Sequence, residues 1–292
     1  MGWLRRAGLV AAGTALYSLF EARHYTLTER HLSAGRLAQD LTVLHISDTH
    51  LYSRQRRLIG WLEGLPTRLG APPDLVVATG DFIENDSGIE PAVAALTRLE
   101  AKFGRFYVLG SHDYYQSTRP GFARYVTGAR PKPKAPRADT EAFERGLQEK
   151  GWTSLLNRTE VLDLPGGRIR LSGIDDPYIN RHKTDHIERV RGEALALALV
   201  HAPDVVSEWA LSGFDVIFGG HTHGGQVRPP GFDAIVTNCK LPAGLAHGLH
   251  RVGTTWLHIS PGLGTSHFAP IRLNCKPEAT LLRIRPTLSY LG

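Results

Sequence analysis

Aspartate and histidine side chains recur along this chain in short groups, each placed directly after an apolar run. Mixed carboxylate and imidazole groups suit borderline-to-hard divalent ions such as Mn, Fe, Zn or Co. Their number exceeds what one ion needs, so a site with two ions is the simpler interpretation. In chain order the groups are Asp48 and His50, then Asp81, then Ser111, His112 and Asp113, then His201, and finally His221 and His223.

The last group is a pair of histidines, one residue apart, in a glycine-rich stretch. In an extended chain the rings of His221 and His223 leave the same side of the backbone and can reach common ions. An isolated pair of this kind is more often two hydrogen-bonded loop histidines. The recurrence of the other groups favours a metal site instead.

The chemistry that such a set predicts is hydrolysis at a phosphoryl group. A carboxylate such as Asp81 can bridge two ions that lie ~3.5 to 4 Å apart. A pair of ions at this spacing can clamp a phosphoryl group and convert bound water to hydroxide near neutral pH.

The apolar runs before these groups have the composition of buried strands, and segments with helical spacing separate them. Three successive strand–helix units, each with a polar residue just past the strand, predict an α/β core with its site at the strands' carboxyl ends. Late strands are expected to close a second sheet. We predict strands over residues 41–47, 74–79, 105–109, 195–200, 215–218, 256–259 and 279–284, a hairpin over 161–173, and helices over 54–69, 91–103 and 139–151.

The composition of the 292 residues is that of a globular protein, with 42% hydrophobic and 21% charged residues. The net charge of +6 is compatible with anionic partners, but no nucleic-acid-binding motif accompanies it, so no nucleic-acid partner is expected. Cys239 and Cys275 are far apart, which excludes a zinc ribbon and leaves open one disulfide or two buried thiols. The sequence does not indicate an oligomeric state.

The first forty residues differ from the remainder. Arg5 and Arg6 precede an uncharged, mostly apolar run over residues 7–20, which favours a retained membrane anchor or signal-like segment followed by a polar connector. A structural helix docked on the domain is the alternative. We therefore expect an N-terminal segment over residues 1–40, one domain over 41–292, and association with a membrane on a side that the sequence does not specify.

The groups, taken together, resemble the motifs of the calcineurin-like metallophosphoesterases. The family pattern is Asp-x-His, Gly-Asp, Gly-Asn-His-Asp/Glu, a lone His, and Gly-His-x-His, and the resemblance spans residues 42–226. The form Gly-His-Thr-His-Gly-Gly-Gln looks most like a membrane-associated branch. The implied fold is an α/β protein with two central mixed sheets flanked by helices, an α/β/β/α sandwich, here with an apolar N-terminal helix. The matching blocks are Asp48-Thr49-His50, Gly80-Asp81, Gly110-Ser111-His112-Asp113, His201 and Gly220-His221-Thr222-His223.

The resemblance also implies a role for each residue. Asp48, His50 and His223 would bind the first ion, Asp81 would bridge, and His201 and His221 would bind the second. His112 would protonate the leaving oxygen or stabilise the phosphoryl charge, and Asp113 would orient its ring. The family's asparagine ligand to the second ion is Ser111 here, and a serine hydroxyl is a shorter and weaker ligand.

The function that we expect is metal-dependent hydrolysis of a phosphoester, with two divalent ions (Mn, Fe or Zn) and in-line attack on phosphorus. The N-terminal segment favours a membrane or cell-envelope substrate, such as a phospholipid or a lipid-linked nucleotide. The alternatives are a soluble nucleotide phosphoesterase, and a non-catalytic metal-binding scaffold of the same fold, which the Ser111 departure would permit.

Overall fold

Two mixed six-stranded β-sheets pack face to face in the computed structural model, which describes residues 2–118, 135–187, 192–206 and 213–287. This confirms the predicted two-sheet α/β fold. The first sheet has the strand order β1-β12-β2-β3-β4-β5. Its strands are β1 (Thr26–Ser33), β2 (Leu41–Ile46), β3 (Leu75–Thr79), β4 (Gly104–Val108), β5 (Thr153–Ser154) and β12 (Glu278–Arg285).

The second sheet has the strand order β10-β11-β9-β8-β7-β6. The strands β7, β8, β9 and β11 are parallel, and antiparallel β6 and β10 lie at the two edges. Its strands are β6 (Arg158–Leu164), β7 (Gly167–Gly173), β8 (Leu195–Leu199), β9 (Val216–Gly219), β10 (Gly248–Val252) and β11 (Thr255–Ile259).

Helices cover the outer face of the first sheet. Buried side chains of the helices, among them Leu62 and Phe143, form one apolar cluster with Leu44 and Ile46 of β2. A second cluster, which includes Val77, lies between the two sheets. The α-helices in the described parts of the chain are α1 (Gly2–Glu21), α2 (Arg56–Glu63), α3 (Leu65–Leu69), α4 (Ile89–Thr97), α5 (Ser111–Tyr114) and α6 (Thr140–Glu149).

Two strands lie elsewhere than the sequence predicts. The expected polar connector contains β1, which pairs in parallel with β12 over residues 26–33, so the first sheet extends to the N-terminal side of residue 41. The strand β12 was expected in the second sheet but lies in the first, antiparallel to β2. The strand β1 has only two leucines, Leu27 and Leu32, among polar residues, and such a polar segment is typical of an edge strand as well as of an exposed loop.

The predicted helix over residues 54–69 is two helices that meet at Gly64. Pro66 lies in the first turn of α3, where a missing N–H costs nothing, so it does not interrupt a helix. Gly64 is both the C-terminal cap residue of α2 and the N-terminal cap residue of α3.

The N-terminal helix α1 has large apolar side chains in solvent, with Trp3 72% and Leu9 73% exposed. Only its C-terminal end is docked, where Glu21 accepts the backbone N–H of Cys275 at 2.6 Å. No helix in the described part of the chain is long and apolar enough to cross a bilayer. The prediction that this segment gives the protein a membrane-associated localisation is therefore wrong; the uncharged run 7–20 is shorter than the ~20 residues that a span needs.

Candidate metal centre

The carboxyl ends of parallel strands from both sheets meet at one edge of the molecule. Residues after β2, β3 and β4 in the first sheet face residues after β8 and β9 in the second. The predicted site residues occupy these turns, and most are buried, while His112 and His223 are half-buried. Backbone hydrogen bonds join the turns, as from Asp48 N–H to the Gly80 carbonyl at 2.9 Å.

The described residues contain three sets of three side chains that could hold a metal ion. Within each set, the ligand atoms lie within 4.8 Å of one another. The first set is Asp48, His50 and His223, and the second is Asp81, His201 and His221. The third, His50, Asp81 and His112, joins the other two. Six side chains that the sequence analysis assigned to two ions are thus brought together as two adjacent groups.

The backbone at these residues is strained. Ten non-glycine residues of the described chain have positive φ angles, and four of them are asparagines, which tolerate this left-handed region. Such a conformation costs about 1–3 kcal/mol and persists only where the surrounding structure enforces it. Five of the other six are predicted ligands, with φ between 43° and 69°: Asp48, His50, Asp81, His221 and His223.

The first set is supported by charged side chains. Nδ1 of His50 lies 2.8 Å from Oε2 of the buried Glu84, which leaves Nε2 for the set. Nε2 of His50 is 3.1 Å from Nε2 of His223. Nε2 of His223 is in turn 3.5 Å from Oδ1 of Asp48. Burial lowers the pKa of His50, but the hydrogen bond and charge of Glu84 outweigh it and raise this pKa to about 9 in the metal-free protein.

The Arg272 side chain contacts the same set and the loop next to it. Its guanidinium is fully buried and donates to the carbonyl oxygens of Pro261 and Gly264, at 2.7 Å each. One of its nitrogens lies 3.5 Å from Nδ1 of His223. The loop 261–264 also donates backbone hydrogen bonds to the turn after β2, as from Gly264 N–H to the Asp48 carbonyl at 2.6 Å.

A buried hydrogen-bonded chain leads from Asp48 into the space between the sheets. The Ser47 hydroxyl donates to Oδ2 of Asp48 at 2.5 Å, and the Thr79 hydroxyl lies 2.7 Å from that of Ser47. His45 continues the chain, with Nε2 2.8 Å from Thr79 and Nδ1 2.7 Å from Nδ1 of His258. Both histidines are fully buried, and burial lowers the pKa of both imidazoles, which keeps them neutral.

The second set is supported by backbone atoms. Nδ1 of His201 lies 2.6 Å from the Thr79 carbonyl, and Nε2 of His221 lies 3.2 Å from the Asn238 carbonyl. Nε2 of His201 has no hydrogen-bond partner among the described residues, although Oδ2 of Asp81 is 3.2 Å away. A buried imidazole nitrogen without a hydrogen-bond donor or acceptor is available as a ligand atom, and this one lies beside the Asp81 carboxylate of its own set.

Ser111 is the first residue of α5 and is buried beside these ligands. The preceding Gly110 packs so closely that a Cβ there would lie 2.3 Å from Oδ1 of Asp81 and 2.7 Å from Nε2 of His201. The glycine is therefore required at this position, and it brings the start of α5 against the second set.

His112 has a different partner from the one expected. Nδ1 of its ring lies 2.7 Å from the Ser117 hydroxyl. The Asp113 carboxylate instead accepts three backbone hydrogen bonds, from Gly110, Phe82 and Ile83, at 2.8 to 3.2 Å. The prediction that Asp113 orients the His112 ring is wrong, because its carboxylate binds together the turns after β3 and β4.

Comparison with known proteins identifies the family. The model of the calcineurin-like phosphoesterase family matches residues 41–225, more than half of the chain. The protein is a calcineurin-like phosphoesterase. The predicted metallophosphoesterase, a hydrolase that acts on ester bonds, is confirmed at this level.

Bacterial relatives match nearly the whole of this phosphoesterase. It is 26% identical to the uncharacterized metallophosphoesterase YkuE of Bacillus subtilis, over 98% of this chain and 95% of YkuE. It is 25% identical to phosphodiesterase YaeI of Escherichia coli, over 85% of this chain and 83% of YaeI. Among solved structures, the phosphopantetheinyl hydrolase of Mycobacterium tuberculosis is 13% identical, with a TM-score of 0.45, over 82% of this chain and 96% of that chain.

The residues of this phosphoesterase fit divalent metal ions. Imidazole and carboxylate ligands ~2.1 Å from one ion lie about 3 Å apart, which is the spacing between His50 and His223. The unpartnered Nε2 of His201 and the Glu84 contact that fixes His50 are the features of prepared ligands.

Both cysteines are free thiols, and Cys275 donates to the His223 carbonyl at 3.2 Å.

Proposed function

We propose that this phosphoesterase works with two divalent ions that share one carboxylate. Asp81 carries the proposal, because its Oδ2 lies 3.7 Å from Nε2 of His50 and 3.2 Å from Nε2 of His201. Its Oδ1 accepts the backbone N–H of His112 at 2.8 Å, which turns Oδ2 to both sets. The first ion would be bound by Asp48, His50 and His223, and the second by His201, His221 and, directly or through water, Ser111, with Asp81 between them.

We assign His112 to the leaving group. Its ring centroid is 4.7 Å from that of His50, and Ser117 binds Nδ1, so Nε2 is the nitrogen that remains for substrate. When bound, the ions polarise the phosphoryl group and lower the pKa of the attacking water. The His112 ring would give a proton or a hydrogen bond to the leaving oxygen. Burial lowers the pKa of His112, and the Asp81 carboxylate opposes that shift.

The substrate class that we infer is a phosphodiester. The support is the Escherichia coli relative, whose name is phosphodiesterase YaeI. A phosphomonoester is the alternative. A lipid-linked or cell-envelope phosphoester stays a prediction, as does the assignment of residues 220–226 to one branch of the family.

Hydrolysis of bis(4-nitrophenyl) phosphate and of 4-nitrophenyl phosphate tests the proposal, on protein purified without chelator and supplied with manganese. We expect faster turnover of the diester, loss of turnover with chelator, and a decrease of about 10²–10⁴-fold in kcat for His112→Ala. His31→Ala is the matched control, since this histidine lies in β1, paired with Glu29. Metal bound without turnover of either ester would contradict the proposal and favour the non-catalytic scaffold. Turnover that survives both chelator and Asp81→Ala would contradict the metal dependence.

A further inference from the structure

A second concave site lies beside the first ligand set. It is a cavity of about 200 Å³ between the C-terminal end of α1, the segment before and into α2, and the segment 263–270. Aromatic rings form part of its wall, among them Tyr25 and Tyr52, the latter 5.0 Å from the ring of His267. Nothing in the metal-centre chemistry described above uses this cavity. Its lining is Ala22, Arg23, Tyr25, Tyr52, Arg54, Gln55, Arg56, Arg57, Leu58, Leu263, Gly264, Thr265, His267 and Pro270.

The cavity is strongly basic. Four arginines and one histidine line it, and the lining contains no aspartate or glutamate. The four arginines, Arg23, Arg54, Arg56 and Arg57, make no ion pair with an acidic residue in the described parts of the chain. Four positive charges in one concavity repel one another, so an anion bound among them would be favoured.

The start of α2 adds to this field. The helix begins at Arg56, and its N-cap residue Gln55 makes no side-chain capping hydrogen bond. No acidic residue lies in its first turn. The first backbone N–H groups of a helix have no intrahelical partner and lie at the positive end of its dipole, so they also favour an anion.

Arginines from two different elements line the cavity together with Tyr25. Burial raises the pKa of Tyr25, and the charges of Arg57 and Arg23 oppose that shift. Arg23 follows α1, whereas Arg57 belongs to α2. Guanidinium groups from two sides match the several oxygens of a phosphate, which arginine binds in bidentate fashion.

The cavity shares its walls with the first ligand set. The backbone N–H of His267 donates to Oε1 of Glu84 at 2.8 Å, and Oε2 of the same carboxylate binds Nδ1 of His50. Tyr52 is two residues after His50, and Gly264 donates to the Asp48 carbonyl. An anion in the cavity would therefore be separated from the proposed metal centre by a single layer of residues, such as His267 and Glu84.

We propose that this cavity is a second phosphate-binding site, which takes a phosphate group additional to the one that is hydrolysed. The inference rests on the proposed function, since it assigns the cavity to the same reaction. The natural ligand would be a substrate with a second phosphate or pyrophosphate group, or inorganic phosphate itself.

A pair of chromogenic diesters tests the proposal on the metal-loaded enzyme. Thymidine 5′-(4-nitrophenyl phosphate) is compared with the same ester that carries a 3′-phosphate, and calorimetry measures the binding of inorganic phosphate. The variant is Arg23→Gln/Arg57→Gln. The matched control is Arg98→Gln/Arg145→Gln, which makes the same charge change at two exposed arginines outside the cavity.

We expect phosphate to bind at least about tenfold more weakly to Arg23→Gln/Arg57→Gln than to the control, because charge-assisted hydrogen bonds are lost. The second readout is kcat/KM for the ester with the 3′-phosphate divided by kcat/KM for the ester without it. If this ratio also falls in the variant, through a raised KM for the 3′-phosphorylated ester, the second phosphate group belongs to the substrate. An unchanged ratio assigns the site to free phosphate. Equal phosphate binding by variant and control overturns the proposal. Failure of wild-type enzyme to hydrolyse either ester would instead contradict the proposed function.

Discussion

The two ligand sets of the candidate metal centre differ in what holds them. In the first set, His50 is bound by the Glu84 carboxylate, His223 is next to the Arg272 guanidinium, and Asp48 accepts from Ser47. In the second set, His201 and His221 are bound by backbone carbonyls. A carboxylate behind a ligating imidazole raises its basicity more than a carbonyl does, so the first set should bind its ion more tightly.

The difference also concerns rigidity. Glu84 is 1% exposed and Arg272 is fully buried, so the partners of the first set are fixed by packing. The partner of His221 is Asn238, which lies in the irregular segment between β9 and β10. Ser111 replaces the family's asparagine on this same side. We therefore expect that ions bind in two steps, the first set filling before the second.

Asp81→Ala is expected to have the largest effect, because this carboxylate belongs to both sets. Loss of a side chain that only supports a ligand typically costs roughly 10–100-fold, and the decrease in activity toward the diester should be much larger than this. Neither ion should bind with native affinity. Elemental analysis and initial rates measure this. Asp163→Ala is the control, since Asp163 is exposed and pairs with Arg168 at the surface, where such pairs contribute little. Two ions per chain in Asp81→Ala would contradict a shared ligand.

Glu84→Gln should separate the two sets. It removes the charge behind His50 but keeps the size of the side chain, so affinity for the tighter ion should fall about 10–100-fold with little change in the weaker. A calorimetric metal titration measures both steps. Glu144→Gln is a suitable control, because Glu144 is a half-buried carboxylate that contacts Tyr107 away from the site. An equal loss at both steps would show that the sets are not independently supported.

Ser111→Asn tests the second ligand set. An amide oxygen at this position restores the longer ligand of the family pattern, and affinity for the weaker ion should rise about tenfold, the low end of the range for supporting groups. Ser111→Ala is the paired variant, which should lower that affinity or leave it unchanged. If the alanine and asparagine variants behave alike, residue 111 does not contribute to the second ion.

Ser47→Ala should have the smallest effect. It removes the hydrogen bond to Oδ2 of Asp48, which leaves a buried carboxylate oxygen less satisfied and its position less fixed. We expect a decrease of a few-fold in affinity for the tighter ion, at roughly unchanged affinity for the weaker one. Ser172→Ala is the control, because that buried serine binds Thr159 in the second sheet. No difference between the two serine variants would contradict a positioning role for Ser47.

The ligands could be predicted from sequence because they follow apolar strands at regular places. Asp48 and His201 come directly after predicted strands and Asp81 comes one residue further on, and parallel strands bring their carboxyl ends together whatever the remaining fold. Their partners could not be predicted in this way. Glu84 and Ser117 lie in loops, and only the tertiary structure brings them against His50 and His112.

Arg272 gave no sequence signal at all. It lies 49 residues after His223 in an irregular segment, and a single arginine there is ordinarily assigned to the surface. The same limitation explains β1, whose polar pattern is compatible with a loop until β12 is known to pair with it. For Asp113, the role that the family resemblance implies differs from the contacts found, since its carboxylate accepts the backbone N–H groups of Phe82 and Gly110.

The most direct test is the number and order of metal ions bound per chain, measured by calorimetric titration of metal-depleted protein with manganese and checked by elemental analysis. We predict two ions that bind in two resolved steps, with turnover of the diester appearing only as the second step fills. A single ion per chain, with full turnover at that occupancy, would contradict the two-ion account.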